Sequence, residues 1–149
     1  MKEELCKDMF FSALNDYNQR MYDASFDKFK IAAYEYKANS MYEVHAKYYL
    51  ALLYKNFKND NINANNLFKQ VEQSDSKYSY NSKYHLALYY HKEKKQNKAC
   101  GLFKQVAESD SEYDDDAKYM LAKFYKNKVR NVYDLYKELS TCESIKRML

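Results

Sequence analysis

The sequence predicts an all-α protein, an α-solenoid in which about four helix-turn-helix units stack one after another. Its 149 residues include no proline and a single glycine, so the residues that usually form tight β-turns are nearly absent. Two short blocks recur with a period of 35 or 36 residues, and the apolar residues in each block follow helical spacing. The length suits one repeat domain spanning residues 1–149.

The composition favours a folded chain in a reducing compartment. Hydrophobic residues make up 46% and charged residues 31%, which is too apolar for a disordered protein. The three cysteines, Cys6, Cys100 and Cys142, lie far apart, so no disulfide framework is expected. The N-terminus does not resemble a signal peptide, and no run approaches about 18 apolar residues. We therefore expect a cytoplasmic protein with no membrane partner.

The first predicted unit, about residues 4–37, has the least regular pattern. Apolar residues at helical spacing predict two helices in it. The first helix contains Phe10, Ala13, Leu14 and Tyr17, and the second contains Tyr22, Phe26, Phe29 and Ala33. Terminal units of a repeat stack often depart from the pattern of the inner units.

The two inner units, about residues 40–74 and 79–109, carry the clearest repeat. The segment 67–76 returns as 102–111 with eight identities in ten positions. A second block, Lys-Tyr-x-Leu-Ala, occurs at residues 47–51, 83–87 and 118–122. Polar clusters at 56–61, 74–76 and 109–111 separate the blocks, and their Ser, Asp and Asn side chains favour turns and helix starts.

The last predicted unit, about residues 113–149, repeats the first-helix pattern. Acidic residues at 114–116 suit the start of its first helix, where negative charge complements the helix dipole. A second helix is expected from about Asn131 to the end of the chain. Its apolar stripe contains Val132, Leu135, Tyr136, Leu139, Cys142, Ile145 and Leu149.

These blocks together resemble the tetratricopeptide repeat, and the Sel-one-like repeat about as well. The resemblance is clearest from Ala46 to Tyr125. The first-helix matches are Leu50, Ala51 and Tyr54, then Leu86, Ala87 and Tyr90, then Leu121, Ala122 and Tyr125, and the second-helix matches are Ala64, Phe68, Ala99 and Phe103. The proline that often closes a tetratricopeptide unit and the glycine-rich Sel-one-like turn are both missing, so both subfamilies stay open. The resemblance implies a right-handed superhelix whose concave face, lined by the first helices, binds peptides or protein surfaces.

On the family's pattern, two columns of side chains should face the concave side. One column is Tyr48, Tyr84 and Tyr119, and the other is Lys55, His91 and Lys126. Tyrosine offers apolar area with a hydroxyl and lysine offers positive charge, so the pair suits a partner protein or peptide, especially an acidic one. The alternative is that the tyrosines are packing residues of the repeat and the lysines are solvated.

The C-terminal stripe is a second predicted surface. Its side chains are Leu139, Cys142, Ile145 and Met148. We expect this stripe either to fold back on the preceding helices or to bind a partner, such as a second copy of the chain.

The sequence offers no sign of catalysis or of a bound cofactor. The three histidines, His45, His85 and His91, do not form a metal motif, and none of the common catalytic motifs occurs. We therefore expect a non-catalytic scaffold or adaptor without cofactor or metal. One alternative is a single-stranded RNA-binding repeat protein, which the modest net charge of +4 disfavours. Another is an accessory subunit that forms a homodimer through the C-terminal helix.

Overall fold

The computed structural model describes the backbone of residues 1–139 and the side chains of residues 1–131. This part of the chain contains seven α-helices and no strand, which confirms the all-α prediction. The helices are α1 (Lys2–Asn18), α2 (Tyr22–Tyr34), α3 (Met41–Asn56), α4 (Asn61–Glu72), α5 (Ser79–Lys92), α6 (Gln96–Ala107) and α7 (Asp114–Leu139).

The helices pack mainly on their neighbours in sequence, in the order that a stack of helix pairs requires. Helices α1 and α2, α3 and α4, and α5 and α6 form three pairs, and α2, α4 and α6 also pack on the first helix of the next pair. The apolar faces predicted from the repeat form the core. Leu50 and Ala51 of α3 and Leu86 and Ala87 of α5 are all buried. Small residues beside large ones let adjacent helices approach closely and interlock.

The two inner pairs end in the same hydrogen-bonded serine turn. After α4, the Ser74 hydroxyl donates to the carbonyl of Val71 and accepts from the backbone N–H of Ser76. After α6, Ser109 makes the equivalent bonds to Val106 and Ser111. These side chains pair backbone groups that the end of a helix leaves free. The predicted turns at residues 74–76 and 109–111 are therefore confirmed.

The turn after the first helix of each complete pair contains one residue with a left-handed backbone. These residues are Arg20 with φ 63°, Asn59 with φ 53° and Lys94 with φ 61°. Glycine is the usual residue here, since a side chain at positive φ crowds the following carbonyl. The chain keeps the same turn without glycine. Backbone bonds such as Lys95 N–H to the carbonyl of Tyr90, at 2.8 Å, close it.

The predicted second helix starting near Asn131 is not a separate helix. Helix α7 runs without interruption from Asp114 to Leu139 and passes through this residue. In the repeat, the position of Lys94 is occupied in α7 by Val129. A β-branched side chain strongly disfavours the left-handed backbone that the turn needs, so the helix continues. Up to Leu139 the fourth unit is therefore one helix where the sequence suggested a pair.

Hydropathy adds one further observation about these helices. No helix between residues 1 and 139 is both long enough and apolar enough to cross a membrane.

Candidate functional site

The three tyrosines predicted to form one column occupy three different environments. Tyr48 is buried, with 3% of its surface exposed, whereas Tyr84 is partly buried and Tyr119 is 64% exposed. This corrects the expectation that the three rings line one surface. Of the three, only Tyr119 offers most of its ring to solvent.

Stacking between units accounts for the burial of the first two rings. The ring of Tyr48 stacks on that of Tyr78 at a centroid distance of 4.4 Å with an interplanar angle of 8°. One unit later, Tyr84 stacks on Tyr113 at 4.5 Å and 9°. Tyr78 and Tyr113 each lie just before the first helix of the following unit. The two stacks are thus a repeated contact that joins consecutive units.

The three side chains of the predicted cationic column also differ in their exposure to solvent. Lys55 is partly buried, and its Nζ atom lies 3.1 Å from Nδ1 of His85. His91 is exposed, and its Nδ1 lies 3.0 Å from Oε1 of Gln96 at the start of α6. Lys126 is exposed on α7. Only His91 and Lys126 are therefore fully accessible to a partner.

The contact between Lys55 and His85 constrains the protonation of the imidazole. His85 is buried, its ring stacks on Phe68 at 4.8 Å, and its Nε2 atom has no hydrogen-bond partner. Burial, followed by the Lys55 charge, lowers the pKa of His85 to about 3. A neutral imidazole accepts the lysine hydrogen bond at Nδ1. The pair therefore has a structural role inside the stack.

The other predicted surface lies largely outside the described residues. Cys142, Ile145 and Met148 fall beyond Leu139, and Leu139 itself is the last residue of α7, where the backbone alone is described. The proposed homodimer surface therefore stays a prediction.

A groove with a partly apolar lining lies between α6 and α7. It encloses about 520 Å³. Its apolar lining includes Cys100, Phe103, Met120 and Phe124. Its polar lining consists of His91, Gln96, Asn97, Lys123, Asn127, Lys128 and Asn131. We call this site the α6–α7 groove.

At the other end of the stack, the α2–α3 interface has aromatic rings at the equivalent place. Ser25, Ala64 and Ala99 are buried equivalents in α2, α4 and α6, as are Phe29, Phe68 and Phe103. This alignment places Gln96 of α6 at the position of Tyr22 in α2. Aligning the first helices, with Leu50 at Leu121, places Lys128 of α7 at the position of Phe57, the residue just after α3. The rings of Tyr22 and Phe57 lie 5.5 Å apart.

At the groove, polar residues thus stand where two rings touch in the α2–α3 interface. The α4–α5 interface also has polar residues there, Asn61 and Glu93. A second substitution widens the groove. Phe26 of α2 packs edge-on against Tyr54 at 5.2 Å, and its equivalent in α6 is the much smaller Cys100. Removing ring volume from a packed interface leaves space unless the helices move together.

The electrostatic character of the groove is positive. Lys123 and Lys128 lie on its α7 side, and none of its lining residues is acidic. Residues 117–131 of α7 include four lysines and one arginine but no aspartate or glutamate. An apolar floor with lysines at its edge suits an amphipathic segment that carries carboxylates.

The groove was not predicted, although its residues can be found by aligning the repeat. The replacement of Tyr22 by Gln96 and of Phe26 by Cys100 becomes apparent only when the second helices are aligned. That alignment needs an offset of 39 residues between α2 and α4, whereas α4 and α6 are 35 residues apart. The irregular first offset concealed the comparison.

Two further observations concern chemistry and relatives. Within the described residues, no three His, Cys, Asp or Glu side chains come together in a way that could hold a metal ion. Comparison with protein-family models, curated proteins and solved structures finds no match to this chain.

Proposed function

We propose that this chain is a non-catalytic protein-binding scaffold and that the α6–α7 groove holds a segment of its partner. The observation that supports this most directly is the partly apolar cavity at the α6–α7 interface, where the aromatic contacts of the α2–α3 interface are absent. Tyr22 and Phe57 leave a shallower pocket of about 350 Å³ at the α2–α3 interface, whereas the groove that Gln96 and Lys128 line encloses about 520 Å³. A cavity lined by apolar side chains with a few polar groups is the usual form of a binding site.

The resemblance to tetratricopeptide and Sel-one-like repeats supports the same class of function. Proteins of those families use stacked helix pairs as rigid supports for partner recognition. We infer from the resemblance that the helix pairs follow a right-handed superhelix. In that arrangement His91 and Lys126, from the predicted cationic column, belong to the same end of the stack as the groove.

RNA binding is the weaker alternative because the rings best placed by sequence for base stacking are already engaged. Tyr48 and Tyr84 stack on Tyr78 and Tyr113 within the protein. A protein that binds single-stranded RNA needs exposed aromatic faces along its basic surface. We therefore treat RNA as an outcome for the experiment to exclude.

The test is affinity capture with a groove-closing variant. Gln96→Tyr combined with Lys128→Phe restores the two residues that close the α2–α3 interface. We expect the parent to capture a partner from a lysate of the source organism and the double variant to lose it. Circular dichroism must show that both proteins are equally helical.

A matched control separates groove filling from a general effect of added aromatic surface. Lys92→Phe introduces the same ring at an exposed position of α5, and Lys92 does not line the groove. This control should retain the partner. Capture that survives groove closure, or that nuclease treatment abolishes, would contradict the proposal.

A further inference from the structure

Helix α7 carries a second uncovered surface on a different side from the groove. Counted from Leu121, the side chains at positions i, i+1, i+4 and i+8 lie on one face of α7, and all of them are exposed or partly exposed. They are Leu121, Ala122, Tyr125 and Val129. Tyr125 is 42% exposed and Val129 is 39% exposed. We call this surface the α7 strip, and it shares no residue with the groove.

The repeat shows what kind of structure covers this surface elsewhere in the molecule. Ala51 and Ala87 are the equivalents of Ala122, and both are fully buried. They belong to α3 and α5, which pack on the second helices α4 and α6. Within residues 1–139, no helix follows α7. Ala122 is therefore exposed at a position where a small residue elsewhere permits close contact with a helix.

The covering helices share one apolar pattern. In α4, the buried residues are Ala64, Leu67, Phe68 and Val71. In α6, the residues at the same positions are Ala99, Leu102, Phe103 and Val106. An amphipathic helix with a small residue followed by large apolar residues at i+3, i+4 and i+7 is thus the shape that this face accepts.

The charges around the α7 strip also restrict which helix it can bind. Nζ of Lys104, on α6, lies 5.9 Å from the ring centroid of Tyr125. Lys126 and Arg130 each follow one residue of the strip along α7, whereas Lys118 before the strip is ion-paired with Asp114 and Asp115 at 3.9 and 3.8 Å. A helix that carries carboxylates beside its apolar face would complement these cations, whereas a lysine-rich helix would be repelled.

We infer that the α7 strip binds an acidic amphipathic helix of a partner protein, in the place that α4 takes on α3. The partner helix supplies the small-x-x-Leu-Phe apolar face, and its carboxylates meet the lysines around the strip. This docking surface does not depend on the α6–α7 groove, and the two sites are tested by different variants.

The test uses synthetic helical peptides and the full chain. One peptide copies the apolar face of α4 and carries glutamate at the outward positions, and its matched partner carries lysine there. Fluorescence anisotropy should show a Kd at least about tenfold lower for the glutamate peptide, equivalent to about 1.4 kcal/mol. Added salt should weaken that binding, because exposed charges are screened.

Three variants test whether the peptide binds at the α7 strip. Ala122→Gln places a longer side chain at the close contact and should weaken binding by about tenfold or more. Ile62→Gln changes an exposed apolar residue of α4 to the same side chain and should leave binding unchanged. The groove-closing variant Gln96→Tyr with Lys128→Phe should also bind the peptide normally, whatever its effect on the groove.

Several outcomes would overturn this inference. Equal affinity of the glutamate and lysine peptides, or no binding by either, would contradict an acidic partner helix. A lower urea midpoint for Ala122→Gln would show that the chain covers the strip itself. A parent dimer that Ala122→Gln converts to monomer in sedimentation would assign the strip to a second copy of the chain.

Discussion

The imidazole of His85 contacts side chains from three parts of the stack. Lys55 of α3 lies 3.1 Å from its Nδ1, Phe68 of α4 stacks on it, and Tyr113 meets it edge-on at 5.4 Å. The pKa of His85 is lowered from 6.5 to about 3 in the folded protein. The unfolded chain therefore binds a proton at higher pH than the folded chain does. The stability from a neutral His85 is complete above about pH 6.5 and is lost as the pH falls towards 3.

This linkage predicts a specific acid sensitivity. Below pH 6 the free energy of unfolding should fall more steeply in the parent than in His85→Met, which introduces the side chain found at the equivalent Met120. The difference in slope should approach about 1.4 kcal/mol per pH unit. Urea unfolding at several pH values between 7 and 4.5 measures it. Parallel pH dependences in the two proteins would show that His85 is not held neutral by the fold.

Tyr48 and Tyr119 allow a direct comparison at one repeat position. The ring of Tyr48 is buried and stacked, so Tyr48→Ala should lower the free energy of unfolding by about 3–5 kcal/mol. Tyr119 is 64% exposed, so Tyr119→Ala should change it by less than about 0.5 kcal/mol. Chemical denaturation of both variants provides the measurement. Equal losses would contradict the different environments described for the two rings.

At the scale of the helix, α6 contains the chain's single glycine at a position with open surroundings. A Cβ atom added to Gly101 would meet no atom within 4 Å. Gly101→Ala should therefore stabilise the protein by about 0.5–1 kcal/mol, because glycine in a helix interior carries excess backbone entropy. Gly101→Asn restores the residue that α4 has at this position, Asn66, and should give a smaller gain because asparagine is a weaker helix former. A loss of stability in Gly101→Ala would indicate a close neighbour at this site.

A glycine should have opposite effects on stability at two equivalent positions, Lys94 in the turn after α5 and Val129 inside α7. Lys94→Gly should stabilise the protein by about 1 kcal/mol, since glycine relieves the crowding at positive φ. Val129→Gly lies inside α7 and should instead destabilise it by about 0.5 kcal/mol. Urea unfolding and far-UV circular dichroism measure the two effects. A stabilising Val129→Gly would contradict a continuous α7.

The sequence was sufficient to predict the helices and most of their pairing, for a physical reason. Apolar spacing and serine turns are local signals, and the inner units repeat them closely, as in Leu67 and Leu102. The continuity of α7 was not predicted because it depends on the backbone preference of one residue, Val129. Its effect is apparent only when the turn at Lys94 is known to require a left-handed backbone.

The binding columns were harder to predict than the fold. The family pattern places Tyr48 and Tyr84 on a surface, but exposure depends on contacts with the following unit. Here Tyr78 and Tyr113 cover those two rings. The groove has the same kind of origin, because Gln96 and Lys128 lie more than 30 residues apart and become neighbours only when α6 and α7 pack.

At the scale of the whole molecule, the two ends of the stack differ in packing. The α2–α3 interface is rich in aromatic contacts, whereas the α6–α7 interface is open and cationic. The double variant Gln96→Tyr with Lys128→Phe introduces the Tyr–Phe pair of the α2–α3 interface at the α6–α7 interface. It should raise the free energy of unfolding by about 1 kcal/mol, the range of one aromatic pair. Thermal and urea unfolding test this, with Lys92→Phe as the control without gain. A loss of stability would contradict the equivalence of the two interfaces.

The central claim is that the α6–α7 groove holds a segment of a partner protein, and site-specific photo-cross-linking tests it most directly. A benzophenone amino acid would replace Asn127 in the groove, and in a matched protein it would replace Lys92, the equivalent exposed residue of α5. Our account predicts that the Asn127 probe forms an adduct with one protein, mapped by mass spectrometry to one segment, and that the Lys92 probe does not. Identical adducts from both positions, no adduct at all, or adducts that nuclease removes would contradict it.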